Sequence, residues 1–230
     1  PADEGLRRCR ALALAIQREE QDRDLADFGV RFDTMTSEQA MYHAGAVAAY
    51  LDLLAARGLT YEKDGALWLR TTDFGDDLDR VLRKQDGSYT YFLPDIAYHV
   101  DKYARGFDWL IDVWGADHHG YIPRMRAVLR ALGYQDQRFD VEVVQLVKVV
   151  RGAEEVKMSK RAGTFVTLRD LLDEVGPDAA RWFFLARRGD SQLNFDVELA
   201  TRQTDENPIF YVQMAHARLS GIFRTAGRAP

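Results

Sequence analysis

Residues 109–120 read Trp-Leu-Ile-Asp-Val-Trp-Gly-Ala-Asp-His-His-Gly, and this stretch decides the fold. The run 109–114 is apolar except at Asp112, which predicts a strand covered on both faces. A helical pattern follows over about 123–132, and a second apolar run at 141–150 predicts the next strand. This order of strand, loop, helix and strand indicates a parallel α/β sheet, whose ligands bind where loops leave the carboxyl ends of the strands.

Towards the amino terminus, helical spacing of apolar residues predicts three helices, over about 3–28, 36–57 and 94–103. Between the second and the third helix, Asp64-Gly65 and Asp86-Gly87 are hairpin turn signals, the latter followed by the strand-like run Ser-Tyr-Thr-Tyr-Phe. Residues 59–93 therefore predict a small β-rich excursion between helices.

Towards the carboxyl terminus, the pattern is helical again. Thr167 with Asp170 forms a capping box for a helix through residue 175, and Gly176-Pro177 ends it and starts another through about residue 188. Residues 208–224 predict a last amphipathic helix, and we expect its apolar stripe to be a core face for a further domain. The members of this stripe are Ile209, Val212, His216, Leu219 and Phe223.

Composition narrows the class of protein. The chain has 230 residues and a formal net charge of -5, which disfavours a strongly basic nucleic-acid module but leaves room for a local basic patch. Its single cysteine, Cys9, has no partner for an internal disulfide, which fits a reducing compartment. No stretch has the length of a membrane span or the pattern of a secretory signal. We therefore expect a cytoplasmic protein with no membrane partner.

The segment 156–164 reads Val-Lys-Met-Ser-Lys-Arg-Ala-Gly-Thr, with three cations among residues 157–161 and glycines at 152 and 163. A mobile cationic loop of this kind can close over a polyphosphate and stabilise the charge of a departing phosphate. An arbitrary cluster of lysines and arginines is more often a solvated surface loop. Here the order of the residues is specific enough to favour the functional interpretation.

Lys-Met-Ser-Lys-Arg matches the KMSK-type signature of class I aminoacyl-tRNA synthetases, and over nearly its whole length the sequence resembles arginyl-tRNA synthetases. The blocks that carry the resemblance occur in order at 29–33 with 37–38, 90–99, 114–118, 157–163, 178–184 and 205–218. The resemblance implies an α/β chain: the second half of a Rossmann-like catalytic domain over 1–206, with the β-rich excursion at 59–93 and the KMSK loop at 151–164. Residues 207–230 would then be the first helix of an all-α anticodon-binding domain.

The activity implied by the resemblance has two steps. Arginine attacks the α-phosphorus of ATP to give arginyl-adenylate and pyrophosphate, and the arginyl group then passes to the terminal adenosine of tRNA(Arg). ATP is a substrate, Mg²⁺ accompanies its phosphates, and no protein-bound metal is expected. Catalysis of this kind depends on positioning and charge stabilisation, with no covalent enzyme intermediate.

A guanidinium substrate needs carboxylates and other acceptors that receive paired hydrogen bonds. The resemblance points to Glu38, Tyr91 and Asp95 as the arginine-binding set, with His118 as a further lining residue. Tyr91 and Asp95 are four residues apart, so both can face one cavity at the start of a helix. The alternative interpretations are an ordinary strand aromatic for Tyr91 and, for Asp95, a helix amino-terminal acid stabilised by the macrodipole.

For ATP, the resemblance implies an adenosine site at Gly115 and Asp117, where glycine permits close approach and aspartate can bond ribose hydroxyls. It assigns the phosphates to Lys157 and Lys160 as the catalytic lysines. Val147, Met158 and Ser159 complete the ATP-binding set, although Val147 and Met158 could equally be core residues. The adjacent histidines 118 and 119 do not suggest zinc, because no cysteine or third histidine stands nearby.

The sequence also departs from the family pattern. The His-x-Gly-His segment that helps class I synthetases bind ATP is not found in these residues, and neither are the amino-terminal tRNA-contacting domain nor most of the anticodon-binding domain. We therefore expect the 230 residues alone to be inactive without these missing regions. The alternatives are a synthetase-derived binding or regulatory module, and another class I synthetase. The intact lysines argue against the first, and the paired carboxylates Glu38 and Asp95 argue against the second.

Overall fold

The computed structural model describes residues 2–134, 138–152, 154–156 and 166–229. The chain forms two compact units, one of residues Thr34–Gln145 and the other of Pro1–Asp33 with Leu146–Pro230. The first helix of the second of these units, α1 (Ala2–Asp27), lies where the sequence predicts it.

The unit of residues 34–145 begins with two helices, α2 (Glu38–His43) and α3 (Ala46–Ala56). The prediction of one helix over 36–57 was wrong, because Gly45 takes a left-handed conformation with φ +71° and interrupts it. The predicted start is confirmed, since the hydroxyl of Ser37 accepts a hydrogen bond from the backbone N–H of Ala40 at 3.3 Å.

Three antiparallel strands follow, β1 (Thr60–Lys63), β2 (Ala66–Leu69) and β3 (Arg80–Arg83). Asp64 and Gly65 join the first two with φ values of 52° and 72°, the positive pair that a tight two-residue hairpin needs. The β-rich excursion is thus present, but the run after Asp86-Gly87 is no strand and contributes a single bridge between residues 83 and 89. Pro94 explains the difference, because it lacks the N–H of a strand ladder and fits the first turn of a helix.

That helix is α4 (Phe92–Ala104). The unit is completed by β4 (Trp109–Gly115), a 3₁₀ helix (Ala116–Tyr121), α5 (Ile122–Ala131) and β5 (Arg138–Val144). β4 pairs in parallel with β5 along its whole length, which confirms the strand–helix–strand prediction. Side chains from α3, α4, α5 and the three-stranded sheet share one core; its fully buried members include Leu54, Leu69, Leu82, Leu93, Ile96 and Met125.

The sequence predicted that β4 is covered on both faces, and this prediction is wrong. Leu110 and Asp112 are buried, whereas Trp109, Ile111 and Val113 are 47%, 50% and 69% exposed. The described residues therefore cover only one face of this strand. Exposed and buried side chains alternate along it, although nearly all of them are apolar.

The second unit continues with β6 (Val147–Arg151), β7 (Glu154–Glu155), α6 (Leu168–Val175), α7 (Pro177–Leu185), β8 (Leu193–Asp196), α8 (Val197–Thr201) and α9 (Pro208–Thr225). β6 pairs antiparallel with β7 and parallel with β8. The single strand predicted over 141–150 is therefore two strands of different sheets, because the chain changes unit after Gln145.

The capping box at the start of α6 is confirmed: Thr167 Oγ1 accepts from the N–H of Asp170 at 3.0 Å, and the Asp170 carboxylate accepts from the N–H of Thr167 at 2.9 Å. α7 ends at residue 185, three residues before the prediction, and β8 and α8 were not predicted. On α9, Ile209 alone of the expected stripe is buried. In the part of the chain that the structure describes, no helix is both long and apolar enough to cross a membrane.

Candidate active site

A cavity of about 710 Å³ opens in the unit of residues 34–145, lined by α4, β4 and the 3₁₀ helix after β4. Its position at the carboxyl end of a parallel strand is where an α/β sheet places its ligands. The polar or aromatic members of its lining are Tyr91, Asp95, Tyr98, His99, Lys102, Asp112, Trp114, His118 and Tyr121.

Asp95 lies in the first turn of α4 and reaches this cavity. Its Oδ2 accepts a hydrogen bond from the hydroxyl of Tyr121 at 2.8 Å. Among the residues that the structure describes, none donates a hydrogen bond to its Oδ1. Burial raises the pKa of the Asp95 carboxyl above its usual value, and the hydrogen bond from Tyr121 offsets part of that rise.

Asp112 is the second carboxylate of the cavity, turned inward by the alternation of β4. Its Oδ2 lies 2.6 Å from Nε2 of His99, and its Oδ1 accepts from Nζ of Lys102 at 2.8 Å. Burial opposes the ionisation of Asp112, but the hydrogen bonds from His99 and Lys102 hold its pKa below its usual value.

The imidazole of His99 faces an acceptor at each nitrogen. Nδ1 lies 2.7 Å from the backbone carbonyl oxygen of Asp95, and Nε2 contacts the Asp112 carboxylate. The ring therefore bridges the backbone of α4 and the Asp112 carboxylate, and the Lys102 ammonium pairs with the other oxygen of Asp112.

The two carboxylates consequently differ in what they can do. Among the described residues, Asp112 pairs with the Lys102 ammonium and contacts the His99 ring, whereas the direct partner of Asp95 is a neutral hydroxyl. Asp95 is thus the carboxylate without a directly paired cation, and in a partly dehydrated cavity it attracts a cation more strongly than it would in bulk water. This arrangement suits a planar cationic group such as a guanidinium.

The structure brings the residues predicted for arginine binding together around Asp95. Tyr91 and His118 line the same large cavity as Asp95, and Tyr91 is 85% exposed. Glu38 lines an adjoining cavity of about 160 Å³, to which Asp95 also contributes. Their roles in binding stay predictions.

The residues predicted for ATP binding are distributed differently. Gly115 ends β4, and a Cβ there would lie 2.6 Å from Oδ1 of Asp117, so glycine leaves room for that carboxylate. Asp117 is exposed, and its Oδ2 lies 3.7 Å from Nε2 of His118. Val147, in the other unit, packs partly buried against that unit's core. Lys157, Met158, Ser159 and Lys160 lie outside the described residues. The ATP-binding roles stay predictions.

Four residues of the cavity, His99, Lys102, Asp112 and Tyr121, received no functional role from the sequence. A signal was available, because a carboxylate inside an apolar strand needs a buried partner, and residues 99 and 102 are three apart on one helix face. Over the described ranges, no three histidine, cysteine, aspartate or glutamate side chains cluster as a metal site.

Comparison with known proteins gives one class for this chain. The family model described as "tRNA synthetases class I (R), catalytic domain" matches residues 1–219. Among curated proteins, the arginine–tRNA ligase of Citrifermentans bemidjiense is 57% identical over 205 residues, which is 89% of this chain and 37% of the relative. The arginine–tRNA ligase of Geobacillus kaustophilus is 55% identical over 217 residues, 94% of this chain and 39% of the relative.

Comparison with solved structures gives the same class. A structure titled as a putative arginyl-tRNA synthetase from Campylobacter jejuni superposes with a TM-score of 0.81 at 38% identity, covering 90% of this chain and 45% of that one. The Thermus thermophilus arginyl-tRNA synthetase shares the fold with a TM-score of 0.71 at 20% identity, covering 96% and 48%.

The fold and the matches define a class I aminoacyl-tRNA synthetase catalytic region. Within that class, the chain belongs to the arginyl-tRNA synthetase family. It spans less than half the length of the curated relatives that it matches, 37% and 39% in the two cases above.

Proposed function

We propose that this chain is part of an arginine–tRNA ligase, which activates L-arginine with ATP and transfers it to tRNA(Arg). Two of its curated relatives, which it matches at 57% and 55% identity, carry that name. The structural observation that carries the proposal is Asp95, a carboxylate at the wall of a large cavity that no cation of the described residues contacts directly.

In this proposal Asp95 accepts from the guanidinium of arginine. The guanidinium presents its N–H groups as a planar fork, and Asp95 accepts from this fork through the oxygen that Tyr121 does not engage. Tyr91 beside it offers a hydroxyl and a ring face, and Glu38 adds a second carboxylate from the adjoining cavity. His118 lines the same cavity at the carboxyl end of β4.

ATP occupies the region of Gly115 and Asp117 in the same proposal, with Val147, Met158 and Ser159 as further contacts. Lys157 and Lys160 stabilise the charge that develops on the departing pyrophosphate. Mg²⁺ accompanies the ATP phosphates, where it neutralises charge. The chain's own contribution in this proposal is to bind and orient the two substrates.

The proposal places the chain within a longer, cytoplasmic protein. Residues 1–206 belong to its catalytic domain, and the helix that begins after residue 206 starts a helical anticodon-binding domain. We expect the isolated 230 residues not to form adenylate at a measurable rate, because the relatives are more than twice as long.

The test uses a full-length ligase that contains this chain. Arginine-dependent exchange of pyrophosphate into ATP is measured with tRNA present, for the wild type and for Asp95→Asn. We expect exchange in the wild type and a loss of at least about 100-fold in kcat/KM for arginine in the variant, because a charged hydrogen bond to substrate is removed.

The matched control is Asp101→Asn, on the same helix, where an exposed carboxylate pairs with Arg105. This variant should keep wild-type exchange. Arginine binding without any exchange by the wild type would instead support a non-catalytic binding module. Exchange that Asp95→Asn leaves unchanged would refute the assignment of the arginine site.

A further inference from the structure

Tyr121 occupies the last position of the 3₁₀ helix that follows β4, and its ring is held on several sides. The rings of Phe92 and Trp114 meet it edge-on, with centroids 5.7 Å and 5.8 Å away. The guanidinium of Arg124 lies 4.6 Å from its centroid. The direction of its hydroxyl is therefore fixed by packing.

That hydroxyl donates to Oδ2 of Asp95 at 2.8 Å. A carboxylate without such a bond can rotate about its χ2 torsion, which is broad and nearly two-fold. With Oδ2 held by Tyr121, Oδ1 is the oxygen of this cavity-lining carboxylate that has no donor among the described residues.

We propose that Tyr121 is the positioning residue of the arginine site, which orients the Asp95 carboxylate and leaves Oδ1 free for the guanidinium. This inference rests on the proposed function, and it adds a residue outside the predicted set of Glu38, Tyr91, Asp95 and His118. Tyr121 acts through Asp95 and needs no contact with substrate of its own.

The chemical type of the group that donates to Asp95 matters as much as its position. A lysine or arginine at this position would orient Asp95 but also cancel its charge, as Lys102 does for Asp112. A tyrosine hydroxyl orients the carboxylate and leaves its charge for the substrate. Burial and the neighbouring Asp95 raise the pKa of Tyr121 well above its usual value, so the hydroxyl stays a donor at every physiological pH.

The experiment compares Tyr121→Phe with the wild type in the full-length ligase, by arginine-dependent ATP–pyrophosphate exchange between pH 5.5 and 8.5. We expect KM for arginine to rise about tenfold or more, as for loss of a bond to a charged group, with KM for ATP unchanged. The matched control is Tyr61→Phe, which removes a tyrosine hydroxyl that donates to Asp79 at 2.9 Å in the β-rich excursion. It should leave both KM values unchanged.

The pH profile gives a readout that a merely structural role would not move. Without the Tyr121 bond, the pKa of buried Asp95 rises further, so the acid limb of kcat/KM for arginine shifts to higher pH. The titratable or charged groups that act on Asp95 are Tyr42 on α2, His99 and Lys102 on α4, Asp112 on β4 and Tyr121 itself. Further titratable groups line the same two cavities: Glu38, Tyr91, Tyr98 and His118. All but Tyr121 are the same in both proteins, so the difference between the two profiles reports on Asp95.

A double-mutant cycle completes the test. If Tyr121 acts through Asp95, adding Tyr121→Phe to Asp95→Asn costs little beyond Asp95→Asn alone. Fully additive losses, an unshifted acid limb, or equal rises in both KM values with a lowered Tm would overturn the inference. A wild type without arginine-dependent exchange would instead refute the proposed function.

Discussion

Nε2 of His99 lies 2.6 Å from Oδ2 of Asp112, although the two residues belong to different elements, α4 and β4. Lys102 contacts the other carboxylate oxygen at 2.8 Å, so both oxygens of this buried carboxylate have a partner at the wall of the cavity. Asp95, in contrast, has one oxygen with no hydrogen-bond donor among the described residues. Asp95, and not Asp112, is therefore the carboxylate available to a further donor.

Replacing Asp112 by Asn should therefore destabilise the fold and weaken arginine binding together. The change leaves the Lys102 ammonium without its counter-ion and His99 without its carboxylate partner, and breaking a buried pair in this way costs about 3 kcal/mol. We expect the free energy of unfolding, measured with urea, to fall by about that amount, and KM for arginine to rise. Asp108→Asn, an exposed carboxylate just before β4, is the control and should change neither quantity. A fully stable Asp112→Asn variant would contradict the charge balance described here.

Asp95→Asn should have the opposite effect on stability. Burial raises the pKa of Asp95 in the folded protein, so its ionised form costs free energy at every pH above its unfolded pKa of about 3.9. The cost disappears as the pH falls below that value, where both states are protonated. We expect the variant to be more stable than the wild type at pH 7, with the difference shrinking towards pH 4.

Urea unfolding at a series of pH values measures this difference, with Asp101→Asn as the reference for an exposed carboxylate of the same helix. A less stable Asp95→Asn variant at pH 7 would show that Asp95 serves the fold and not the site.

Gly115→Ala tests the proposed ATP site separately from the arginine site. The new Cβ would lie 2.6 Å from Oδ1 of Asp117, and this exposed carboxylate can move aside, so the fold is kept. We expect KM for ATP to rise at least about fivefold, the effect of about 1 kcal/mol, with KM for arginine and the Tm unchanged. Gly120→Ala is the matched control, because nothing lies within 4 Å of its added Cβ. Unchanged KM for ATP in Gly115→Ala would remove Asp117 from the ATP site.

Asn207→Ala tests how α9 joins its unit. The side-chain amide donates to the carbonyls of Ala200 and Arg202 at 3.0 and 2.8 Å, and its oxygen caps the helix by accepting from Ile209 at 3.2 Å. Asn207 is only 3% exposed, so its loss leaves buried polar groups unpaired and costs about 2–3 kcal/mol. Urea unfolding measures this loss of stability, with Asn194→Ala on the exposed face of β8 as the control. A loss no larger than that of the control would contradict the account of this helix start.

The sequence predicts those parts of the fold that depend on local signals. The turn at Asp64-Gly65, the capping box at Thr167 and the order of β4, α5 and β5 are all confirmed, because turn chemistry, capping and periodicity are read within a few residues. The break at Gly45 and the division of the strand over 141–150 were not predicted. An isolated glycine inside a helical pattern can be tolerated as well as end the helix, so Gly45 alone did not decide between the two. The division of the strand depends on which sheet each half joins, which an apolar run does not record.

The same limit applies to the site. Asp95 and Tyr91 were identified by their spacing and by resemblance, and the structure places both at one cavity. Tyr121 was not, because it is 26 residues from Asp95 and meets it only through the fold. The His99–Asp112 pair, 13 residues apart, was missed for the same reason.

The central claim is that the charge of Asp95 selects a guanidinium. Citrulline tests this claim most directly, because citrulline carries a neutral ureido group of the same shape in place of the guanidinium of arginine. The inhibition constant of citrulline and KM for arginine are measured by ATP–pyrophosphate exchange in the full-length ligase, for the wild type and for Asp95→Asn. We predict that the wild type prefers arginine by at least about 100-fold, as for a charged partner in a desolvated site, and that the variant loses most of this preference. A variant that keeps the wild-type preference would contradict the account.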